Sequence, residues 1–486
     1  MLKFNQVFVF LLPFYMGDCN QPNAQSEGQA NKSTQASQPN IIFILMDDLG
    51  WNAVSSYGNQ HVDTKNIDQL AKEGVRFTDA YVTPQCTPTR AVIMTGQHTA
   101  NNRMWHVTPR YYFPYQTLTE PEYLQNLPRD TYTIGKALKD QGYRTAIFGK
   151  WHLNTYGEDG YYTRLFAENS HHYGFDEVDP VTDPTEYQAY TDKGVDFLTE
   201  QANQFMKRNL ENPFFIYLSH HTIHGPVLAP DTLVSKYLDR GYPEEGVNNA
   251  TYLAAIEHFD KAIGRLTDKI KELGIEENTI IIFTSDNGGV DTEFDHSPLR
   301  YGKGSPYEGG IRVPFIVKWP KVIDQGMISN VPIHAVDFYP TLLGMAGGDP
   351  DSLSQLDGLS LVPLLTKKEE PTREALYWYM PLYDPLTYSV WSTTPAAVIR
   401  KGNYKLIKFF GDYTDLSQKP KQLIGKKVEL YDLSSDIGEE NDLSAVRSSL
   451  ATALETQLDQ WIASTGAGLP IPNENYNPDS LWVKAR

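Results

Sequence analysis

Five short apolar runs rich in β-branched and aromatic residues, Ile41–Met46, Thr145–Phe148, Phe214–Leu218, Thr279–Thr284 and Val313–Lys318, are separated by stretches of helical periodicity. A strand covered on both faces reads as a continuous apolar run, and parallel strands need a crossover, usually a helix, between them. The pattern therefore predicts an α/β fold, with a mostly parallel or mixed central sheet flanked by helices on both faces. The clearest helix runs through Tyr252, Ile256, Phe259, Ile263, Leu266, Ile270 and Leu273, spaced alternately four and three, and Gly274 stops it. Further helices are predicted at Asn66–Glu73, Ile134–Gln141 and Gly194–Lys207. After about residue 370 the texture changes to strand-like runs at Ala396–Phe410 and Lys427–Leu433 and a helical segment at Ser444–Ile462. This predicts a catalytic-sized α/β domain over residues 39–370 and a smaller C-terminal α+β subdomain over 371–486.

The chain starts differently. An apolar run from Val7 to Met16 is half the length that crosses a bilayer as a helix, and it matches the apolar stretch of a signal peptide within residues 1–19. Residues 20–38 are polar and read as a linker. The expectation is an exported protein without a transmembrane helix, either periplasmic, on the cell surface or extracellular. Cys19 stands where a bacterial lipoprotein carries its lipid anchor, although Asp18 is a poor neighbour for one; ordinary cleavage and a Cys19–Cys86 disulfide are the alternatives. With these two cysteines alone, no disulfide framework holds the chain. Subtracting 60 Asp+Glu from 42 Lys+Arg gives a net charge of −18, which argues against nucleic acid as a partner.

In such sheets ligands bind beyond the carboxyl ends of the strands. Here those ends are followed by Asp47-Asp48, by Gly149-Lys150-Trp151-His152, by His220, His221 and His224, and by Ser285-Asp286-Asn287-Gly288. Each alone is an ordinary cap or turn; four together in one chain point to one site. Asp47, Asp48, Asp286 and Asn287 offer oxygen donors only, which suits Ca²⁺ or Mg²⁺ rather than zinc.

The segment Pro84-Gln85-Cys86-Thr87-Pro88-Thr89-Arg90 decides among chemistries. A cysteine ahead of a proline-initiated helix is by itself an inert core residue. The string Cys86-x-Pro88-x-Arg90, however, resembles the modification signature of the formylglycine-dependent sulfatases of the alkaline phosphatase superfamily. Similar blocks follow in family order: His172-Tyr-Gly174-Phe175-Asp176, His224-Gly-Pro226, Gly302-Lys303-Gly304-x-x-Tyr307-Glu308-Gly309-Gly310-Ile-Arg312-x-Pro314, Lys405-Leu-Ile, and Glu429-Leu-Tyr-Asp432 through Gly438-Glu439. The resemblance covers about residues 39–462. Thr89 and Gln97 depart from the usual serine and arginine, and the stretch from Asp349-Pro350 has no counterpart in the blocks.

The resemblance implies that a formylglycine-generating enzyme oxidises Cys86 during maturation, and that the hydrated aldehyde attacks the sulfur of a sulfate ester. It implies a metal shell of Asp47, Asp48, Asp286, Asn287 and the modified Cys86. Arg90 and Lys150 would hold the nucleophile and that shell, His152 would be the base for sulfate expulsion, and His224 with Lys303 would bind sulfate and protonate the leaving oxygen. Arg103, Trp105, His106, Arg110, His172, His296 and Arg300 lie in loops beside these motifs and are expected to contact a sulfated carbohydrate substrate. Two other readings are a phosphonate or phosphodiester hydrolase of the same superfamily and an inactive relative that binds sulfated glycans.

Overall fold

The computed structural model describes residues 38–108, 113–154, 167–180, 190–387, 390–411, 427–481 and 483. The predicted signal segment, Cys19, most of the linker and Arg110 lie outside them. The described residues form a central nine-stranded sheet of β1 (Asn40–Met46), β2 (Val75–Tyr81), β3 (Arg144–Gly149), β4 (Glu177–Val178), β5 (Phe214–Ser219), β6 (Thr279–Ser285), β7 (Arg312–Lys318), β8 (Met327–Ser329) and β9 (Ile333–His334). The order across the sheet is β9-β2-β7-β6-β1-β5-β3-β4, with β8 also on β2. Strands β6, β1, β5, β3 and β4 are parallel neighbours, whereas β7 is antiparallel to both β6 and β2. The sheet is therefore mixed. Arg76, Thr78 and Asp79 interrupt the apolar run of β2, and for that reason the five predicted strands do not include it.

All seven residues of β1 are buried, and their alternation builds two cores. Ile41, Phe43 and Leu45 point to one face and Ile42, Ile44 and Met46 to the other. The helices are α1 (Lys65–Glu73), α2 (Cys86–Thr95), α3 (Ile134–Asp140), α4 (Val195–Arg208) and α5 (Ala250–Glu272). Residues of α2 and α3 join the first core, and residues of α1, α4 and α5 the second. Asn249 caps α5 by accepting the Tyr252 N–H at 2.9 Å, and Gly274, at φ +68°, turns the chain at its end. The predicted stripe from Tyr252 to Ile270 is at most 2% exposed, and each such side chain contributes about 1.5–3 kcal/mol of burial. Among the described residues no helix is long and apolar enough to cross a membrane.

A second, antiparallel sheet of β10 (Leu376–Met380), β11 (Ala396–Lys401), β12 (Tyr404–Phe409) and β13 (Lys427–Asp432) is covered by α6 (Ser448–Thr465) through Ala451, Leu454, Leu458 and Ile462. The run Ala396–Phe410, expected as one strand, is a hairpin. Its two arms are both apolar, and the turn falls on Gly402 at φ +58°.

The two sheets are joined through wholly buried charges. Lys405 on β12 donates to Glu308 Oε1 at 3.0 Å and forms an ion pair with Glu439 Oε1 at 2.8 Å, all three side chains being 0% exposed. The other oxygen of Glu308 accepts from Tyr81 at 2.7 Å and from Arg312 at 3.1 Å. Burial would raise the Glu308 carboxyl, but Lys405, Arg312 and Arg400 hold it down at about 2. Burial and the Glu308 charge push Glu439 up to about 7 against the pull of Lys405. Lys405→Met removes the shared cation, so a loss of about 3–5 kcal/mol in unfolding free energy is expected by denaturant titration. A change below about 1 kcal/mol would mean that the cluster tolerates Glu439 without its cation.

Candidate active site

Strands β6, β1, β5 and β3 are parallel neighbours whose ends are level, with Leu45 opposite Ser219 and Thr284, and Gly149 opposite Ser219. The residues just beyond each strand are thereby delivered to one edge of the sheet. Asp47 and Asp48 leave β1, Lys150 and His152 leave β3, His224 comes after β5, and Asp286 and Asn287 leave β6. Asp48 sits in the left-handed region at φ +67°, which turns the chain sharply between the two carboxylates. Cys86 opens α2, a helix whose ten residues are all buried.

Each carboxylate has its own cation. Lys150 Nζ lies 2.5 Å from Asp47 Oδ2, Lys303 Nζ 2.6 Å from Asp48 Oδ1, and Arg90 grips Asp286 Oδ2 through Nε at 2.9 Å and Nη2 at 2.6 Å. Burial opposes ionisation of Asp47, but Lys150, His224, Arg90 and Lys303 outweigh it and hold this carboxyl well below the usual range. Burial and the Asp47 charge together push Asp286 up to about 6 despite Arg90. Arg90 also donates from Nη1 to Ser219 Oγ at 2.5 Å and to the Lys150 carbonyl at 2.8 Å, which ties α2 to the ends of β3 and β5.

His152 faces residue 86. Its Nε2–H donates to the Thr108 carbonyl at 2.6 Å, so Nδ1 carries the lone pair, 3.4 Å from Cys86 Sγ. Burial and then the Lys150 charge depress its pKa well below the ordinary value, so the ring is neutral and Nδ1 bears a free lone pair. Thr87 Oγ1 donates to the His152 carbonyl at 2.9 Å and fixes the turn. Burial pushes the Cys86 thiol up, against Lys150 and Lys303, so the unmodified side chain stays protonated and is a poor nucleophile.

The donor set fits a hard divalent cation. Asp47 Oδ1 and Asn287 Oδ1 are buried and accept no hydrogen bond. Asn287 spends its amide on Asp48 Oδ1 and on the Gly288 carbonyl, both at 2.8 Å, which leaves its carbonyl oxygen free. One ligand atom each from Asp47, Cys86 and Asp286 lie within 4.8 Å of one another. Orphaned buried oxygens cost free energy unless something positive meets them, and oxygen donors of this kind suit Ca²⁺ or Mg²⁺. The turn after Asn287 is packed to contact: a Cβ on Gly288 would stand 1.7 Å from the Gly309 carbonyl oxygen. Gly288→Ala is therefore expected to cost about 1–3 kcal/mol of stability, measurable by thermal unfolding, and to displace Asn287.

The residues expected to meet substrate are placed unevenly. His106 is buried with its Nε2 2.5 Å from Glu120 Oε2, and Arg103 is an exposed partner of Glu122 at 3.0 Å. Trp105, expected to stack on a sugar, is 1% exposed and packs edge-on against Tyr379 in the C-terminal core, so no face is open to a ring. Arg300, half-buried, braces the C-terminal sheet: it lies over Tyr307 at 4.3 Å and donates to the Glu439 carbonyl at 2.7 Å and to Tyr431 at 3.0 Å. His296 is 5% exposed and backs onto Gly50 and Gly289, propping from behind the turns that carry Asp47-Asp48 and Asp286-Asn287. His172 lies against His171 with ring centroids 3.9 Å apart and the rings tilted by 41°, and its charged neighbours are Arg129 and Lys136, none of them a group of the cleft. Sequence reasoning missed Ser219, Thr87 and Thr108, which orient Arg90 and His152; neither a lone hydroxyl, as on Ser219 and Thr87, nor a backbone carbonyl, as at Thr108, carries a signal of such a role.

Comparison with known proteins decides the family, because the sulfatase family profile matches residues 39–348. The chain belongs to the sulfatase family. A second profile, that of the N-sulphoglucosamine sulphohydrolase C-terminal region, matches residues 300–464. This sulfatase is 29% identical to a sulfatase of Formosa agariphila over 95% of this chain and 93% of the relative. It is 28% identical to arylsulfatase J of Mus musculus over 87% and 76%, and 30% identical to the N-acetylgalactosamine-6-sulfatase of Canis lupus familiaris over 70% and 68%. Among solved structures, Ps i-CgsB superposes with a TM-score of 0.69 at 28% identity, covering 88% of this chain and 93% of that one. The protein is thus a sulfuric ester hydrolase of alkaline-phosphatase-like fold.

Proposed function

We propose that this sulfatase hydrolyses sulfate esters of a sulfated saccharide or polysaccharide fragment, with Cys86 converted to formylglycine and a divalent cation held by Asp47, Asp48, Asp286, Asn287 and residue 86. The observation that carries this reading is the setting of Cys86: a protonated, buried thiol at the mouth of α2, facing a neutral imidazole and surrounded by three cation-paired carboxylates with two oxygens left over. A saccharide is favoured because i-CgsB was solved with k-i-k-neocarrahexaose and another relative is an N-acetylgalactosamine-6-sulfatase. The apolar run from Val7 to Met16 supports export, where such polymers are met.

When present, the hydrated formyl group supplies an oxygen nucleophile with a second hydroxyl, and the cation supplies Lewis acidity and balances the carboxylates. The chain's own residues do the rest. Arg90 and Lys150 fix Asp286 and Asp47, so the donors need not reorganise. Lys303, with its raised pKa, stays charged and meets the sulfate. His224 donates Nδ1–H to the Gly225 carbonyl at 2.8 Å, and its charged neighbours are Asp48, Asp47, Lys150 and Lys303; burial lowers its pKa, and the two carboxylates oppose that shift and favour the protonated form. Protonated there, His224 hands its proton to the departing sugar oxygen as the sulfur–oxygen bond breaks. His152 Nδ1 then takes a proton at residue 86 so that sulfate can leave.

The test is leaving-group dependence. A sugar alkoxide needs a proton to depart, whereas a nitrophenolate does not, so His224→Ala should slow a sulfated sugar more than nitrophenyl sulfate by about 10²–10⁴. With His152→Ala an initial burst of released alcohol, succeeded by a slow phase, is expected on both substrates. Equal losses on both substrates for His224→Ala would remove it as the acid.

A further inference from the structure

Lys193 belongs to none of the family motifs, yet it is a buried cation beside the cleft. It is 7% exposed, and its charged neighbours are Asp47, Lys150, Asp48 and Lys303. Among the described residues its ammonium meets no carboxylate; it donates instead to the His224 carbonyl and, at 3.0 Å, to the Pro226 carbonyl. Burial draws its pKa down to about 8, so holding the charge there is costly and the two carbonyls are what it gains.

The backbone beneath Lys193 is rigid. Asp192 accepts the N–H groups of Gly194 at 3.0 Å and Asp196 at 2.8 Å at the start of α4, and lies 3.2 Å from His258 Nε2 on α5. The loop that Lys193 reaches is tied at its beginning, where Asp47 N donates to the Thr222 carbonyl at 3.0 Å, Ile223 N to the Asp47 carbonyl at 2.8 Å and His224 N to the His221 carbonyl at 3.1 Å, and it rejoins the second core at Val227 and Ala229. Past His224 the chain runs out through Gly225 and Pro226, both exposed. Between these two anchors, Lys193 is the side chain among the described residues that hydrogen-bonds the carbonyls of His224 and Pro226.

We propose that Lys193 is a positioning residue for His224, holding the loop by two carbonyls so that the imidazole stays within reach of the leaving oxygen. The inference rests on the reading of His224 as the acid.

A double-mutant cycle tests it, using Lys193→Met, Lys193→Arg, His224→Ala and the Lys193→Met/His224→Ala pair on a sulfated sugar and on nitrophenyl sulfate. Lys193→Met should slow the sugar by roughly ten- to a hundredfold, part of what an acid contributes, and nitrophenyl sulfate by much less. Lys193→Arg should recover most of the loss, and inhibition by inorganic sulfate should be unchanged. The double variant should be no slower on the sugar than His224→Ala alone. Multiplying losses in the double variant would overturn the proposal. Equal losses on both substrates with weakened sulfate inhibition would also overturn it, by placing the ammonium on the sulfate. If Lys193→Met does not fold, Lys193→Gln, whose shorter amide cannot span both carbonyls, gives the same cycle. A flat leaving-group response of His224→Ala alone would fail the acid assignment, while the cycle would still decide whether the two residues are coupled.

Discussion

Cys86→Ala is expected to abolish sulfate ester turnover, with a loss on the order of 10⁴–10⁶ in kcat, the scale at which removal of a nucleophile leaves only binding and electrostatics. The same loss is expected for wild-type chain made in a host that cannot oxidise the cysteine. The reason lies in the pKa of the thiol, pushed up by burial next to Asp286 and Asp47, so that cysteine itself is kept neutral where a nucleophile must be anionic. His152 at 3.4 Å cannot reverse this, because its own proton affinity is depressed by burial and Lys150. Peptide mass analysis of active protein should find residue 86 lighter than cysteine and reactive towards hydrazides. Full activity with an intact thiol would sink the mechanism.

Asp286→Ala should have the second largest effect, because the carboxylate serves two partners. It is the anion against which Arg90 is buried, and removing it leaves a guanidinium uncompensated at a cost of about 3–5 kcal/mol. It is also a member of the group of ligand atoms with Asp47 and Cys86. Chelation of the wild type should remove activity, and Ca²⁺ or Mg²⁺ at about a hundred times its Kd should restore it and add about 2.7 kcal/mol of stability. Asp286→Ala should gain neither. Asp286→Asn separates the effects, since it keeps an oxygen for the Asp48 N–H while lowering the charge that a cation meets. Unchanged melting and turnover in chelator would exclude the proposed metal.

The strands whose ends carry the site are legible in the sequence because they are buried on both faces and so read as unbroken apolar runs. Asp47, Lys150, His224 and Asp286 can be gathered into one place from the sequence alone, since parallel order brings strand ends together. The loops are not legible in the same way. Trp105 and Arg300 look like sugar contacts because aromatic and cationic residues beside a motif suit that task, but the C-terminal sheet covers both, and nothing local to residues 103–106 or 296–300 announces a cover some hundred residues or more downstream. Lys193 escapes for the converse reason. Its partners are two backbone carbonyls, and a carbonyl has no signature in a sequence.

The Lys405 junction has a consequence for anyone recombining sulfatases. Glu308 lies five residues after Lys303, so the segment that presents the lysine proposed to meet sulfate is clamped from the second sheet, with Arg300 clamped by the same route at its other end. A chimera joining this catalytic half to a foreign C-terminal half inherits a cleft whose lysine is aimed by the donor's strands. Specificity and assembly are therefore not separately exchangeable parts. A graft succeeds only if the incoming half brings its own buried lysine and glutamate to the same address.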